Sequence, residues 1–343
     1  MTSRQMRILS RCIGTTLLVI MMGQAPMSSQ TTSALQKLKD LSAATSLERD
    51  GITPWHLHMT FDLYDLQGKK AESGTIEEWW TSPGNSKLVV TSPSYNLPSP
   101  DGQSSATANH ANREAYLIRT LLNQVINPIP RYGDYSGLTV KEYERVFGQT
   151  KLSCLTVQRA DVVSTAANVP AAAQYCVEPN TDELRVAFET GQAAAVRNQL
   201  IIFRGIELAR ENQLSYGGRP AITGHIEQVE SYTPDATEPS SESDVESQPV
   251  IPGVVLAGKI LRSEQPVYPI SAKMKHIGGS VVLCAIISRQ GTISSLDVVS
   301  SPDDSLSKSA VDAVKHWTYQ PYLLNGQPTE VDTTITVNYN LNY

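Results

Sequence analysis

The 343-residue sequence lacks the short signatures of the common hydrolases and nucleotide-binding enzymes. It contains no Gly-x-Ser-x-Gly, no His-Glu-x-x-His and no phosphate-binding loop. It also has no run of Lys and Arg, and its formal net charge is −6 at pH 7. Because nucleic-acid backbones are bound by clustered basic side chains, the sequence argues against a nucleic acid as the main partner. These absences predict a protein that is not an enzyme and needs no cofactor.

Metal ligands are sparse, since the sequence has four cysteines and six histidines. No Cys-x-x-Cys motif and no cluster of histidines is present, so the ligand spacing of a structural zinc site is missing. His56 and His58 stand two residues apart in a strand-like stretch, so their rings face one side. Two ligands without a third make a poor site, and we interpret both as solvent-facing strand residues. The adjacent Glu77 and Glu78 would face opposite ways, which rules out an acid–base pair between them.

The sequence has no apolar run long enough to span a bilayer comfortably, which takes roughly 20 residues. Its longest N-terminal run, residues 13–22, follows Arg4, Arg7 and Arg11 and precedes Gly23-Gln24-Ala25. A basic stretch, a short apolar stretch and small residues together predict a secretory signal over residues 1–25. An uncleaved signal-anchor is the alternative and would keep the protein on the inner membrane. Both interpretations place the rest of the chain in the periplasm.

Export would place the cysteines that follow the signal in an oxidising compartment, where disulfides form. Cys154 and Cys176 each lie in a strand-like stretch of one region, "KLSCLTV" and "AQYCVEP", and we predict that they form a disulfide. Closing a loop of this length stabilises a fold by roughly 3 kcal/mol. Cys284 lies in the apolar stretch "SVVLCAIIS" and is interpreted as a buried free thiol.

A change in composition divides the chain. Residues 233–252, "TPDATEPSSESDVESQPVIP", hold five acidic residues, four prolines and no basic residue. Such a segment buries too little apolar surface to fold, so it predicts a linker between one domain at residues 34–232 and a second at 253–343. A weaker polar stretch at residues 92–109 is interpreted as a long loop inside the first domain. No internal repeat is evident.

The first domain is predicted to be mostly β. "WHLHMTFDLYD" alternates, with Trp55, Leu57, Met59, Phe61 and Leu63 on one side, and many further short strands follow. A helix is expected over roughly residues 110–125. Trp79 and Trp80 point to opposite faces, so one belongs to the core while the other either packs too or lines a concave ligand surface. This pattern favours a curved antiparallel sheet, which makes the fold class of the whole chain α+β.

The last ninety residues predict a small β-β-α-β unit. "SVVLCAIIS" and "ISSLDVVSS" are apolar strands joined by a turn at Gly291, and Asp304 or Ser305 is expected to cap the helix that follows. An apolar stripe marks this helix, formed by Leu306, Ala310, Ala313, Val314 and Trp317. Asn325-Gly326 then turns the chain into a final alternating strand. We expect one face of the sheet to pack on the helix and the other to meet water.

These residues resemble the TonB C-terminal domain, over about residues 258–343. The matching motifs, in order, are Tyr268-Pro269, Gly279 before the first strand, Gly291 in the turn, and Trp-x-Tyr-x-Pro at Trp317, Tyr319 and Pro321; Asn325 and Gly326 complete the structural set. In that family the domain is a periplasmic binding module, and a receptor peptide adds itself to the sheet edge as a strand. The resemblance implies partner-binding residues at Tyr268, Pro269, Trp317, Tyr319, Val331, Thr333, Ile335, Val337 and Tyr339.

The first domain is similar, more distantly, to lipoprotein carriers of the LolA and LolB type, in its strand order and in the stretch "YCVEPNTDELRV". Energy-coupling TonB proteins have a membrane anchor and a long Pro-rich spacer, whereas here a folded domain and a short acidic linker replace the spacer. Two functions therefore stay open. One is an adaptor or transducer acting on a TonB-dependent outer-membrane receptor. The other is a soluble carrier of a lipid or another apolar ligand. Two copies exchanging final strands would form a homodimer.

Overall fold

A computed structural model describes residues 27–97, 112–130, 135–159, 172–189, 193–234, 260–324 and 326–341. The predicted signal at residues 1–25, nearly all of the acidic linker and Asn325 lie outside these residues. Within the described ranges, no helix is both long and apolar enough to cross a membrane. The described residues are mostly β, with 53% of them in strands and 17% in helices.

The N-terminal region contains one large antiparallel sheet with two helices. The helices are α1 (Met27–Thr45) and α2 (Arg113–Ile126). The strands are β1 (Trp55–Tyr64), β2 (Lys70–Ser82), β3 (Asn85–Thr91), β4 (Asn96–Leu97), β5 (Leu138–Phe147), β6 (Thr150–Arg159), β7 (Ala172–Val177), β8 (Leu184–Glu189), β9 (Ala194–Phe203), β10 (Ile206–Tyr216) and β11 (Arg219–Ser231). Their order is β4-β3-β2-β1-β11-β10-β9-β8-β7-β6-β5, so the first and last strands of the region meet in the middle of the sheet.

Apolar and polar residues alternate along the strands, and this alternation gives the sheet its two different faces. Every second residue of β1, from Trp55 to Leu63, is buried, as predicted. The same face of β2 carries Ile76, Glu78 and Trp80, and together with its neighbours it forms the inner face, on which the helices pack. Trp80 stacks on Trp55 with ring centroids 5.8 Å apart, while Trp79 lies on the outer face. The prediction of opposite directions for the two tryptophans is confirmed.

Of the two helices, α2 was predicted from the sequence and α1 was not. The prediction of a helix over residues 110–125 is confirmed, with α2 beginning at Arg113 after Asn112, whose side chain accepts a hydrogen bond from the Ala115 N–H (2.8 Å). Helix α1 was not predicted, because most of its residues are polar or small and its weak apolar stripe is easily overlooked. Ala34, Leu38 and Leu41 are nevertheless buried in the core of the large sheet.

The outer face of the large sheet holds a small core of its own around the predicted disulfide. Cys154 in β6 lies directly opposite Cys176 in β7, and the two are bonded. Leu152 is buried beside them, and Tyr143 and Phe147 of β5 pack against the cluster. The disulfide prediction is confirmed, and the bond joins neighbouring strands outside the core on which the helices pack.

The C-terminal region contains a three-stranded antiparallel sheet. Its elements are β12 (Ile260–Arg262), α3 (Ile270–Met274), β13 (Gly279–Ile287), β14 (Ile293–Ser300), α4 (Asp304–Val314), β15 (Thr318–Tyr319), β16 (Leu323–Leu324), β17 (Gln327–Pro328) and β18 (Val331–Tyr339). The sheet order is β14-β13-β18, and β12 pairs with β15 beside it. Helix α4 packs against β13 and β14. Its cap is Asp303, and not Asp304 or Ser305 as predicted, because Asp303 is the last residue with extended backbone and its carboxylate accepts from the Ser305 N–H (2.9 Å).

The expectation that the second face of the small sheet meets water is wrong. Strand β13 is buried on both faces from Val281 to Ile287. Val281 and Leu283 face the core under α4, whereas Val282 and Cys284 belong to the core of the N-terminal region. The cover on that second face is α2, which contacts β14 as well as β10 and β11 of the large sheet. The two sheets therefore share one helix.

Candidate binding edge and its surroundings

Strand β18 is one edge of the small sheet. It pairs with β13 along its whole length, from Val331 opposite Ile287 to Tyr339 opposite Gly279. Among the described residues, no strand pairs with its other side. It contains no Pro and no Lys, the residue types that most often block pairing at an edge. The strand thus presents a row of main-chain donors and acceptors to which an extended segment can bind.

The side chains predicted to bind a partner along β18 point into the core. Val331, Thr333, Ile335, Val337 and Tyr339 are all buried under α4, and the Tyr339 hydroxyl donates to the Leu306 carbonyl (3.3 Å). The alternate residues of the strand are half-buried on the other face: Asp332, Thr334, Thr336 and Asn338. A partner strand would therefore meet the main chain and this second set, while the first set holds the edge in place.

The remaining predicted partner-binding residues lie around the ends of the sheet. Tyr268 packs edge-on against Tyr339 with ring centroids 5.3 Å apart, and its hydroxyl donates to the Ile277 carbonyl (2.8 Å). Pro269 precedes α3 at the N-cap position. Trp317 Nε1 donates to the Glu264 carbonyl (2.9 Å), and Tyr319 is only 2% exposed. These contacts tie the segment before the sheet to the sheet itself.

The predicted structural glycines all have a positive φ, and Gly291 also has a steric reason. Gly291 has φ +81°, and a Cβ there would lie 2.0 Å from the Tyr319 carbonyl oxygen. The approach is close because the Tyr319 N–H donates to the Gly291 carbonyl (2.7 Å). Gly326 also has a positive φ, +80°, but no atom lies within 4 Å of its missing Cβ. Gly279 has φ +132°, and Pro321 follows the short β15.

The opposite edge, β14, is already occupied by α2. The Arg113 N–H at the start of the helix donates to the Asp297 carboxylate (2.9 Å), and Arg113 Nε donates to the Val299 carbonyl (3.0 Å). Carboxylates near a helix N-terminus are favoured by the exposed N–H groups and the helix dipole. Because a main-chain acceptor of β14 is taken, a partner strand finds fewer free groups at this edge than at β18.

Several buried polar atoms of the large sheet have no hydrogen-bond partner, among them Asn212 Oδ1 of β10 and two atoms of β2 on the inner face. Glu78 is 6% exposed, and its Oε2 is buried with no hydrogen bond; Trp80 Nε1 on the same face is in the same state. Burial raises the pKa of Glu78 to about 7; a hydrogen bond with Ser86 lowers this pKa and the charge of Glu48 raises it. Buried polar atoms without partners are rare in folded proteins, so these two mark an unusual spot in an apolar surface.

The histidine pair lies on the outer face, as its spacing predicts. His56 Nε2 contacts Glu77 Oε2 (2.8 Å) and stacks on Trp79, while His58 Nδ1 lies 3.5 Å from Glu77 Oε1. Over the described part of the chain, no group of three or more metal-ligating side chains converges. The cluster is therefore a patch of strand residues in which His56 is hydrogen-bonded to Glu77, whereas His58 Nδ1 has no hydrogen-bond partner.

Sequence reasoning missed the residues that join the two regions. Arg119 of α2 forms an ion pair with Asp332 of β18, across 213 positions of the chain, and Arg113 contacts Asp297 and Val299. Nothing in the local pattern around any of these residues signals its partner. The unusual burial of Glu78 was also missed, because a polar residue within an alternating strand is normally assigned to the solvent face.

Comparisons with known proteins found one matching family model, which agrees with the TonB resemblance, and several similar solved structures. The sequence model of the Gram-negative bacterial TonB protein C-terminal family matches residues 264–341. A putative outer membrane lipoprotein-sorting protein domain from Vibrio parahaemolyticus is similar with 7% identity and a TM-score of 0.37, covering 62% of this chain and 97% of that one. A LolA superfamily protein from Nitrosomonas europaea has 8% identity and a TM-score of 0.34, covering 59% and 94%.

A DUF1329 family protein from Desulfovibrio piger is also similar, with 7% identity and a TM-score of 0.37, covering 64% of this chain and 98% of that one. No curated protein sequence matches the chain. All three TM-scores lie below 0.5, so these structures support no conclusion about ligand or activity.

Proposed function

We propose that this protein is a non-enzymatic, periplasmic binding protein whose C-terminal domain receives an extended segment of an envelope partner at β18. The observation that carries the proposal is the free edge of β18 beside an opposite edge that α2 occupies. In strand addition, main-chain hydrogen bonds supply affinity and alternate side chains supply selectivity. The match to the TonB C-terminal family supports the N-terminal segment of a TonB-dependent outer-membrane receptor as the partner.

The test uses synthetic peptides from the N-terminal segments of TonB-dependent receptors of the source organism, titrated into the full chain by calorimetry. Thr336→Lys introduces a charge beside the proposed partner strand. Ser294→Lys makes the same change on β14, where Ser294 is exposed. We expect Thr336→Lys to weaken binding at least tenfold, about 1.4 kcal/mol, and Ser294→Lys to leave it unchanged. The reverse pattern would place the partner on β14, and equal effects would contradict strand addition at either edge.

A second function is favoured by a separate observation, the unpartnered Glu78 Oε2 and Trp80 Nε1 on the inner face of the large sheet. We infer that this face binds an apolar ligand with a polar group, once the helices covering it move. The ligand's polar group would satisfy the two atoms, and its apolar part would replace contacts with α2. Native mass spectrometry of protein from its own cells should show a co-purified lipid. A ligand-free mass from gently isolated protein contradicts this second function.

A further inference from the structure

Helix α2 has two apolar sides that serve different sheets. Leu121 lies against Met59 and the space left by Gly224 on the inner face of the large sheet. Tyr116 lies on the side toward Cys284 of the small sheet and shares a hydroxyl hydrogen bond with Tyr216 (3.2 Å). The helix is therefore packed between the two sheets, and neither sheet can change its contact with α2 without affecting the other.

The C-terminal end of α2 is fastened to the N-terminal region. Arg197, which is fully buried, donates from Nη1 to the Gln124 carbonyl (2.6 Å). The Leu47 N–H donates to the Ile126 carbonyl (2.9 Å), and Asn127 Nδ2 donates to Glu48 (2.6 Å). The first two bonds satisfy carbonyl groups that a helix end leaves free, and the third joins side chains. This end of α2 is therefore held to the N-terminal region independently of the small sheet.

The N-terminal half of α2 is fastened to the small sheet. Arg113 bonds to Asp297 and Val299 of β14, and one and a half turns later Arg119 pairs with Asp332 of β18. The Arg119 and Asp332 side chains are 39% and 19% exposed, and ion pairs of such exposure are weak and easily exchanged. Asp332 also belongs to the edge at which we propose that a partner binds.

We propose that α2 couples the two binding functions. When the small sheet releases the N-terminal half of α2, that half can leave the inner face of the large sheet. The inner face then admits an apolar ligand. The inference rests on both proposed functions. A strand added at β18 would place its side chains within about 5 Å of Asp332, where they compete for Arg119. The bound partner would thereby weaken one of the contacts that keep α2 over the inner face.

Cys284 reports whether the two sheets separate. It is 1% exposed at the interface with α2, and burial raises the pKa of its thiol to about 12, so it is unreactive while the interface is closed. In a Cys12→Ser background with the Cys154–Cys176 disulfide intact, Cys284 is the single thiol of the full chain. Asp332 raises and Arg119 lowers the pKa of this thiol, so its reaction with a maleimide is followed across pH and the rates are compared at equal thiolate fraction. That rate measures opening of the interface.

The experiment compares this rate with the binding of N-phenyl-1-naphthylamine, a neutral apolar dye, in the same variants. Asp332→Asn should raise the thiol reaction rate and the dye affinity together, each about fivefold. Exchanging the pair, Arg119→Asp with Asp332→Arg, should restore both to wild-type values. Asp62→Asn is the matched control, since it removes an ion pair with Lys70 on β1–β2, away from α2, and should change neither.

Faster thiol reaction without tighter dye binding would overturn the inference, because the small sheet would then separate without moving α2. No change in either measurement would overturn it as well. Leu121→Asp should displace α2 from the inner face directly. This variant therefore distinguishes an error in the proposed coupling from an error in the proposed apolar site. Dye binding by Leu121→Asp alone would refute the coupling and keep the site, whereas no dye binding by any variant would refute the site. Peptide titration of Thr336→Lys tests the edge separately.

Discussion

The two sheets of this protein must each cover apolar surface, and they do so differently. The eleven-stranded sheet buries one face under two helices and exposes the other, which carries polar residues and the disulfide cluster. The three-stranded sheet buries both faces, one under α4 and the other under α2. The binding surface that we propose for it is therefore an edge, available without rearrangement. The binding surface that we propose for the large sheet is a face, and a helix must move to expose it.

The largest expected loss of stability in the small sheet comes from a substitution in the turn at Gly291. Gly291→Ala forces a Cβ into the Tyr319 carbonyl at a positive φ, and should lower the free energy of unfolding of the C-terminal domain by about 3 to 5 kcal/mol. Gly326→Ala is the control with a similar φ and open space, and should cost about 1 kcal/mol. Urea unfolding followed by exposure of the Cys284 thiol measures both. Equal costs would show that φ alone, and not the contact with Tyr319, requires Gly291.

The large sheet is tested by its buried acid. Because folding raises the pKa of Glu78 from 4.5 to about 7, the folded state holds this proton longer than the unfolded chain. Stability is therefore fully present below pH 4.5 and falls as the pH rises toward 7, by roughly 3 kcal/mol at pH 8. Glu78→Gln should remove this loss, so its free energy of unfolding should exceed that of the wild type at pH 8 and differ little at pH 5.

Urea unfolding at the two pH values measures the effect of Glu78→Gln. Glu144→Gln, an exposed residue paired with Lys151 on β5–β6, provides the control and should show no such dependence. The same stabilisation at pH 5 and pH 8 would contradict a titrating carboxyl on the inner face. In that case the free energy of unfolding of the large sheet would not depend on pH through Glu78.

The smallest expected effect concerns the cover of the small sheet. Asp303→Ala removes the cap of α4 and should lower the free energy of unfolding by about 1 kcal/mol. Hydrogen bonds from Ser305 lower the pKa of Asp303, so its contribution is present above the unfolded pKa and is lost as the pH falls through the folded value. Asp312→Ala, exposed on the same helix, is the control in thermal unfolding at pH 7. A cost no larger than that of the control would contradict the cap assignment.

Local patterns were sufficient for most of the fold. The alternation from Trp55 to Leu63, the turn at Gly291 and the stripe from Leu306 to Val314 each correspond to an observed element. The prediction that Trp317 extends this stripe is wrong, because α4 ends at Val314. The disulfide between Cys154 and Cys176 was predicted from two strand-like stretches in a chain expected to be exported. Helix α1 was missed and the cap of α4 was placed one residue late, because a mostly polar helix and neighbouring acidic residues carry weak local signals.

The sequence by itself determined most of the strands and helices and which of their faces are apolar, because backbone geometry converts the spacing of apolar residues directly into faces. The tertiary structure alone decided what covers each face. Two apolar sides on one helix, α2, and the pairing of Arg119 with Asp332 follow from how two distant regions pack. A pattern read along the chain contains no record of contacts between residues so far apart, so the shared helix emerges only when both sheets are folded.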